Sequence, residues 1–306
     1  MKVTVTGATG VIGRALVREL LDAGDEVTVL SRDAERARAA LGARVEAHRW
    51  GDAKAEPPPP AALRGRDAVA HLLGEPVAQR WSDRAKREIR DSRVQSTHNL
   101  VAGLGELPEG ERPRALVSQS ASGYYGPRDD ERVDESAGPG DDFLAGVTLD
   151  WEARARSAEE LGLRVVVTRT GVVLSEQGGA LEKMLPFFKL GVGGPVAGGG
   201  QYVPWVHLDD VAGALQFCLH RDQAAGAINL TAPEPVTNRE LSRTLGKVLK
   251  RPALAPVPGF AVMALYGQMA TIVTTGVRAV PARLLELGYR FRRPSLEDAL
   301  REATGS

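Results

Sequence analysis

Gly7, Gly10 and Gly13 stand in a Gly-x-x-Gly-x-x-Gly spacing within Gly7-Ala8-Thr9-Gly10-Val11-Ile12-Gly13. Phosphate binding needs backbone N–H groups and a helix N-terminus at close range, and side chains at these positions would block the approach. The loop follows an apolar strand pattern at 2–6 and opens a helical pattern at 11–23, which closes at Gly24. That setting turns a weak triplet into a dinucleotide signature, with Thr9, Val11 and Ile12 as further expected contacts.

A second strand pattern at 26–30 leads into Ser31-Arg32-Asp33. Proteins that bind NAD usually place Asp or Glu here to hold the ribose hydroxyls. An Arg can instead fork onto a 2′-phosphate and stack on adenine, with a Ser hydroxyl adding a hydrogen bond. Ser31 and Arg32 therefore favour NADP, as NADPH. In the competing reading Ser31 caps the next helix, Arg32 is solvated and Asp33 turns to the ribose. A fourth strand ends at Leu72-Leu73-Gly74-Glu75, where backbone is expected to pass the ribose and diphosphate and Gly74 permits close approach. Glu75 is either a ribose or substrate contact or a charge favoured by a helix N-terminus. Glu88 and Arg93 lie five apart on the next helix. Arg93 either reaches the diphosphate or shares a solvated face with Glu88.

The elements that must position these residues alternate. Strand patterns at 2–6, 26–30, 44–50, 67–72, 114–118 and 164–169 are interleaved with helical ones at 11–23, 33–41, 82–104 and 143–161. This predicts an α/β fold, a doubly wound parallel Rossmann sheet. Pro57-Pro-Pro-Pro60 reads as a stiff surface connector, neither helix nor central strand. After Gly171 the rhythm breaks, and 191–200 is a glycine-rich loop. Strands at 202–207 and 227–231 follow, with a helix capped by Asp209 between them, and helices with Pro-rich joints run on from Thr237. The expected division is a Rossmann domain of 1–177 plus 203–232 and a smaller, mainly helical C-terminal substrate lobe of 178–202 plus 233–306.

Composition narrows the function. The 306 residues carry 39 basic and 39 acidic side chains, a balance that points away from nucleic acid and from an anionic membrane surface. Cys218 is the single cysteine and sits in an apolar helical pattern, which rules out an internal disulfide and a multi-cysteine metal site. His207-Leu-Asp-Asp210 is too sparse for a metal centre. The start of the chain lacks a secretory pattern, no apolar run is long enough to span a membrane, and a cytoplasmic protein acting on a small molecule is expected. No Gly-x-Ser-x-Gly elbow occurs.

Further stretches extend the pattern nearly end to end. They include Arg80-Trp81, Ser92-Arg93, Ser120-Ala-Ser-Gly-Tyr-Tyr-Gly126, Trp151-Glu152, Arg169-Thr-Gly-Val-Val-Leu174, Leu190-Gly-Val-Gly-Gly-Pro195, Pro204-Trp-Val-His-Leu-Asp-Asp210 and Gly288-Tyr-Arg-Phe291. With the glycine loop, they make the chain resemble the extended short-chain dehydrogenase/reductases, and within them the atypical YfcH-like "epimerase family" proteins. The superfamily does its chemistry with a Tyr-x-x-x-Lys pair on the helix after the fifth strand. None of the five tyrosines here has Lys four residues on, and the expected places fall at Leu144 and Thr148.

The resemblance implies that Ser120 touches a substrate oxygen, or else satisfies the strand end. Tyr124 or Tyr125 is then the replacement acid, a partner stacked on the nicotinamide, or a plain lid. It also implies that the 170–173 segment runs beneath the nicotinamide, with Gly171 giving room and Val173 offering backbone to the carboxamide. Two functions stay open: an NADP-dependent oxidoreductase or sugar epimerase with an unusual proton donor, and a non-catalytic NADP-binding sensor. The resemblance allows a homodimer.

Overall fold

The computed structural model describes residues 1–306. Strands β1 (Lys2–Thr6), β2 (Glu26–Ser31), β3 (Val45–Arg49), β4 (Ala68–His71) and β5 (Ala115–Ala121) form in turn, followed by the two-residue β6 (Arg132–Val133) and by β7 (Arg164–Thr170). Short strands β8 (Val172–Leu174), β9 (Tyr202–Val203) and β10 (Trp205–His207) come next, then β11 (Gly226–Leu230), β12 (Val236–Thr237) and β13 (Arg278–Ala279). Seven of them make one parallel sheet, ordered β11-β7-β5-β4-β1-β2-β3. The chain winds outward from β1 in both directions, as expected of a Rossmann sheet.

Helices cover both faces, so the central strands read as nearly continuous apolar runs. Alternate side chains of each strand enter opposite cores. Ala115 and Val117 of β5 pack beneath helices α1 (Val11–Asp22) and α6 (Leu208–His220), while Leu116 packs with α3 (Asp83–Gly105) and α4 (Phe143–Arg156). Helix α2 (Ala34–Leu41) joins the first core through Ala37. A third core, built on Leu181, Leu185, Phe188, Trp205, Leu241, Leu245 and Leu300, joins α5 (Gly179–Lys189), α7 (Asn238–Val248) and α11 (Leu296–Thr304) into the second lobe. The short helices α8 (Gly259–Tyr266), α9 (Thr271–Thr274) and α10 (Ala282–Glu286) lie between α7 and α11 in the chain.

Several elements differ from the sequence expectation. β5 extends to Ala121, so Ser120 lies inside a strand rather than beyond it. Pro204 divides the expected 202–207 strand in two. Pro58 is buried against Gly103 and Pro60 begins a single 3₁₀ turn, so the proline run is part of the packing. His207, not Asp209, caps α6, its Nδ1 accepting the Asp209 N–H at 3.2 Å.

The last stretch of chain also divides between the two halves. Leu284 and Tyr289 enter the core of the sheet. Buried Asp210 accepts the N–H groups of Arg292 and Arg293 at 2.7 and 2.9 Å, and Arg292 forks onto Glu19. Short helical patterns reveal an apolar face but not which neighbour will cover it.

Candidate cofactor and active site

The glycine loop joins β1 to α1 by close backbone contact. Gly7 has φ +66°, and a Cβ there would fall 2.7 Å from the Leu72 carbonyl oxygen. A Cβ on Gly13 would lie 2.2 Å from the Gly7 oxygen, so any side chain would push α1 off the loop. Gly10 caps α1 without a side-chain hydrogen bond, and Gly10 and Thr9 are exposed, with Val11 and Ile12 half-buried beside them. The first N–H groups of the helix are therefore left for a phosphate.

At the end of β2, the Ser31 Oγ accepts the Asp33 N–H at 3.3 Å. Asp33 is the N-cap of α2, its carboxylate accepting the Arg36 N–H at 2.9 Å. Its carboxylate is thus committed to the helix. Arg32 is exposed and forms no ion pair. Arg49, paired in register with Ser31, is also exposed and unpaired. Sequence reasoning missed Arg49 because only strand register brings it beside Ser31.

Beyond β4, Leu72 and Leu73 are half-buried and Gly74 and Glu75 exposed, with the Glu75 N–H donating to Ser92 Oγ at 2.9 Å. The Arg93 guanidinium lies against Gly74, where a Cβ would sit 2.9 Å from its central carbon, and stacks 5.2 Å from the Trp151 ring. It donates to the Ile89 carbonyl and has no carboxylate partner, and burial lowers its pKa to about 10. Glu88 is separated from it. Five residues on an α-helix is a turn of about 140°, and Glu88 pairs with Lys54 on another face, Nζ to Oε2 at 2.8 Å. His71 lies behind the loop. Its Nδ1 meets the Thr6 hydroxyl at 2.9 Å and its Nε2 the Thr97 hydroxyl at 3.0 Å, and burial lowers its pKa to about 3.

A second centre is made of side chains from β5, α4, β7 and β11. Ser120 Oγ donates to Glu152 Oε1 at 2.7 Å, and Arg169 grips the same carboxylate through Nε at 2.8 Å and Nη2 at 3.0 Å. Arg169 Nη1 donates to Tyr125 Oη at 3.1 Å, and Tyr125 donates to Asn229 Oδ1 at 2.7 Å. The Glu152 and Arg169 side chains are each 4% exposed, which only a bidentate pair with its remaining groups bonded makes tolerable. Burial opposes the Arg169 charge, but hydrogen bonds and attraction from Glu152 outweigh it and raise the pKa. Burial pushes the Tyr125 hydroxyl up to about 12.

Tyr124 is placed differently. Its ring lies 3.4 Å under the Arg169 guanidinium and meets Tyr125 edge to face. It is half-exposed, and its hydroxyl has no partner within the protein. Of the three residues expected to do chemistry, Ser120 and Tyr125 have their hydroxyls engaged in the interior, and Tyr124 alone has a free one. On α4, Leu144 packs against Gly123, and the Thr148 hydroxyl bonds back to the Leu144 and Ala145 carbonyls at 2.8 and 3.0 Å. Glu152 and Arg169 were assigned no role from sequence. A partial signal was Arg169 near the end of a strand that is apolar from Val165 to Val167, since a charge buried there must be paired.

Strand β8 and the lobe reach both centres. A Cβ on Gly171 would fall 1.9 Å from the Pro204 oxygen, so glycine lets β8 run beside β10, placing half-buried Val173 opposite Val206. Gly178 touches Val11 of the glycine loop, Lys183 of α5 donates to the Ala78 carbonyl, and Val277 and Ala279 pack on Tyr125.

A parallel Rossmann sheet with this cradle defines an NAD(P)-binding protein of the extended short-chain dehydrogenase/reductase type. The model of the NAD dependent epimerase/dehydratase family matches residues 3–231, and a domain of unknown function, DUF1731, matches residues 257–303. The chain belongs to the NAD-dependent epimerase/dehydratase family. It is 39% identical to the epimerase family protein SDR39U1 homolog, chloroplastic, of Arabidopsis thaliana, over 98% of this chain and 86% of that one. It is 36% identical to the human epimerase family protein SDR39U1 over 99% of each. The crystal structure of the human protein (isoform2) with NADPH superposes with a TM-score of 0.88 at 35% identity, covering 100% of both chains. A UDP-glucuronic acid 4-epimerase from Bacillus cereus in complex with NAD shares the fold, with a TM-score of 0.78 at 17% identity over 98% of this chain and 94% of that one.

Proposed function

We propose that this chain is an NADPH-dependent oxidoreductase acting on a carbonyl or nucleotide-sugar substrate, with Tyr124 as its proton donor. The carrying observation is the free, half-exposed Tyr124 hydroxyl, on a ring held by a fully bonded Arg169. The residues present fit the dinucleotide. With no side chains at Gly7, Gly10 and Gly13 the first N–H groups of α1 stay open to the diphosphate, Arg93 faces it with no carboxylate at ion-pair distance, and Arg32 and Arg49 meet a 2′-phosphate that Asp33 does not contest. The human relative's complex with NADPH supports the same choice.

When bound, the nicotinamide supplies a hydride. Tyr124 gives its hydroxyl proton to the substrate oxygen as the carbonyl carbon accepts that hydride, which leaves an alcohol, and then recovers a proton from solvent. Ser120, Glu152, Arg169 and Tyr125 are positioning residues that fix the Tyr124 ring. One observation favours a second reading, NADPH binding without turnover: Leu144 and Thr148 give α4 no ionisable group where the superfamily has its pair. Following NADPH absorbance across a panel of aldehydes, ketones and nucleotide sugars separates the two. Consumption with one class supports the oxidoreductase, and binding with no consumption across the panel supports the second reading.

A further inference from the structure

From Pro252 to Val277, 26 residues pass without one charged side chain, in a chain that is 25% charged. A soluble fold would normally bury such a stretch, yet Leu254 is 81% exposed, Phe260 79% and Leu265 69%. The end of α5 adds Leu190 at 78%, with Phe187 and Val192 also exposed. The segments that carry Leu190 and Leu254 lie side by side, and Phe260 follows them at the start of α8. Pro252 packs on Gly191, Ala255 on Gly194, and the Val257 N–H donates to the Pro195 carbonyl at 2.9 Å.

Cations border this surface. Lys189, Lys250 and Arg251 adjoin Leu190 and Pro252, all three are exposed, and none forms an ion pair, whereas nearby Lys247 is paired with Glu297 at 2.6 Å. The segments 178–202 and 233–280 together hold eight Lys and Arg against three Glu, a surplus of five positive charges in a chain whose net charge is zero. The whole-chain balance, which pointed away from anionic surfaces, conceals this local excess.

We propose that this lobe docks on an anionic lipid surface, with Leu190, Leu254 and Phe260 entering the interface and Lys189, Lys250 and Arg251 meeting lipid phosphates. No helix is long and apolar enough to cross a membrane, so the attachment is peripheral. Apolar side chains this exposed suit a fluid apolar phase bordered by anions. A symmetric pairing of two copies would set the same cations against each other. None of Leu190, Leu254, Phe260, Lys189, Lys250 and Arg251 belongs to the cradle or the Tyr124 centre, so docking and cofactor binding are separable.

Co-sedimentation of the full chain with phosphatidylcholine vesicles, with and without phosphatidylglycerol, tests this. The expected result is binding to the anionic vesicles alone, weakened by salt. Binding should fall more than about tenfold in the double variant Lys250→Glu, Arg251→Glu and similarly in Leu254→Ser, Phe260→Ser, while NADPH affinity is unchanged in both. No binding to either vesicle, equal binding to both, or a self-associated protein that ignores vesicles would overturn the proposal.

Discussion

The two centres of this molecule are built from different materials. The cradle at β1 and α1 is almost all backbone, with its side chains deleted so that N–H groups and a helix terminus stay open. The centre between β5, α4, β7 and β11 is almost all side chain, a closed chain of hydrogen bonds with Tyr124 lying on its outer edge. A backbone site tolerates change around it but not at its glycines. A buried charged network is costly to leave half-satisfied, most of all when a charged member loses its partner. Cofactor binding and chemistry should therefore respond to different substitutions.

The largest expected effect breaks the network alone. Glu152→Ala would strand the Arg169 charge in the interior and cost about 3–5 kcal/mol of stability, read as a fall in the urea midpoint. NADPH affinity measured under folding conditions should stay within about twofold of wild type, because the cradle shares no residue with the network.

His71 supports the cradle from behind, and its signature is a pH dependence. Its folded pKa is about 3 against an ordinary value of 6.5. Above pH 6.5 both states are neutral and its contribution is complete. As pH falls from 6.5 towards 3, the unfolded chain takes a proton that the folded one refuses, at about 1.4 kcal/mol per pH unit. Between pH 7 and 4.5 that is a loss of roughly 2–3 kcal/mol. Urea midpoints for wild type and His71→Asn should diverge in slope over this window, and parallel slopes would remove His71 from the account.

Gly13→Val attacks the cradle directly. The added atoms must displace the Gly7 carbonyl, and NADPH affinity should fall at least about 100-fold, the upper range of overpacking costs, with Ser120–Glu152–Arg169 intact. The smallest effect concerns cofactor choice. Arg32→Ala should weaken NADPH about tenfold, one charge-assisted contact, and leave NADH nearly unchanged. Equal losses for both would deny Arg32 its phosphate.

The contrast also explains what was legible in the sequence. The cradle could be read because its requirements are local: glycines at fixed spacing, a strand before and a helix after. The sheet was readable for a similar reason, since strands buried on both faces leave continuous apolar runs such as Val165-Val-Val167. The second centre depends on which strands adjoin. Glu152 and Arg169 are 17 residues apart in the chain, and Asn229 is 104 from Tyr125. Residue type and position point to Ser120 and Tyr125, but only the fold shows that their hydroxyls are already engaged. Arg49, and the return of Leu284 and Tyr289 to the sheet, were hidden in the same way.

The most direct test of the account is Tyr124→Phe, measured for NADPH affinity and for the rate of hydride transfer in a single turnover, on a substrate drawn from the carbonyl panel, with Tyr125→Phe alongside. The account predicts an NADPH Kd within about twofold of wild type and hydride transfer slowed by about 10²–10⁴-fold for Tyr124→Phe, with a clearly smaller kinetic effect for the buried Tyr125. Hydride transfer at the wild-type rate in Tyr124→Phe would contradict it.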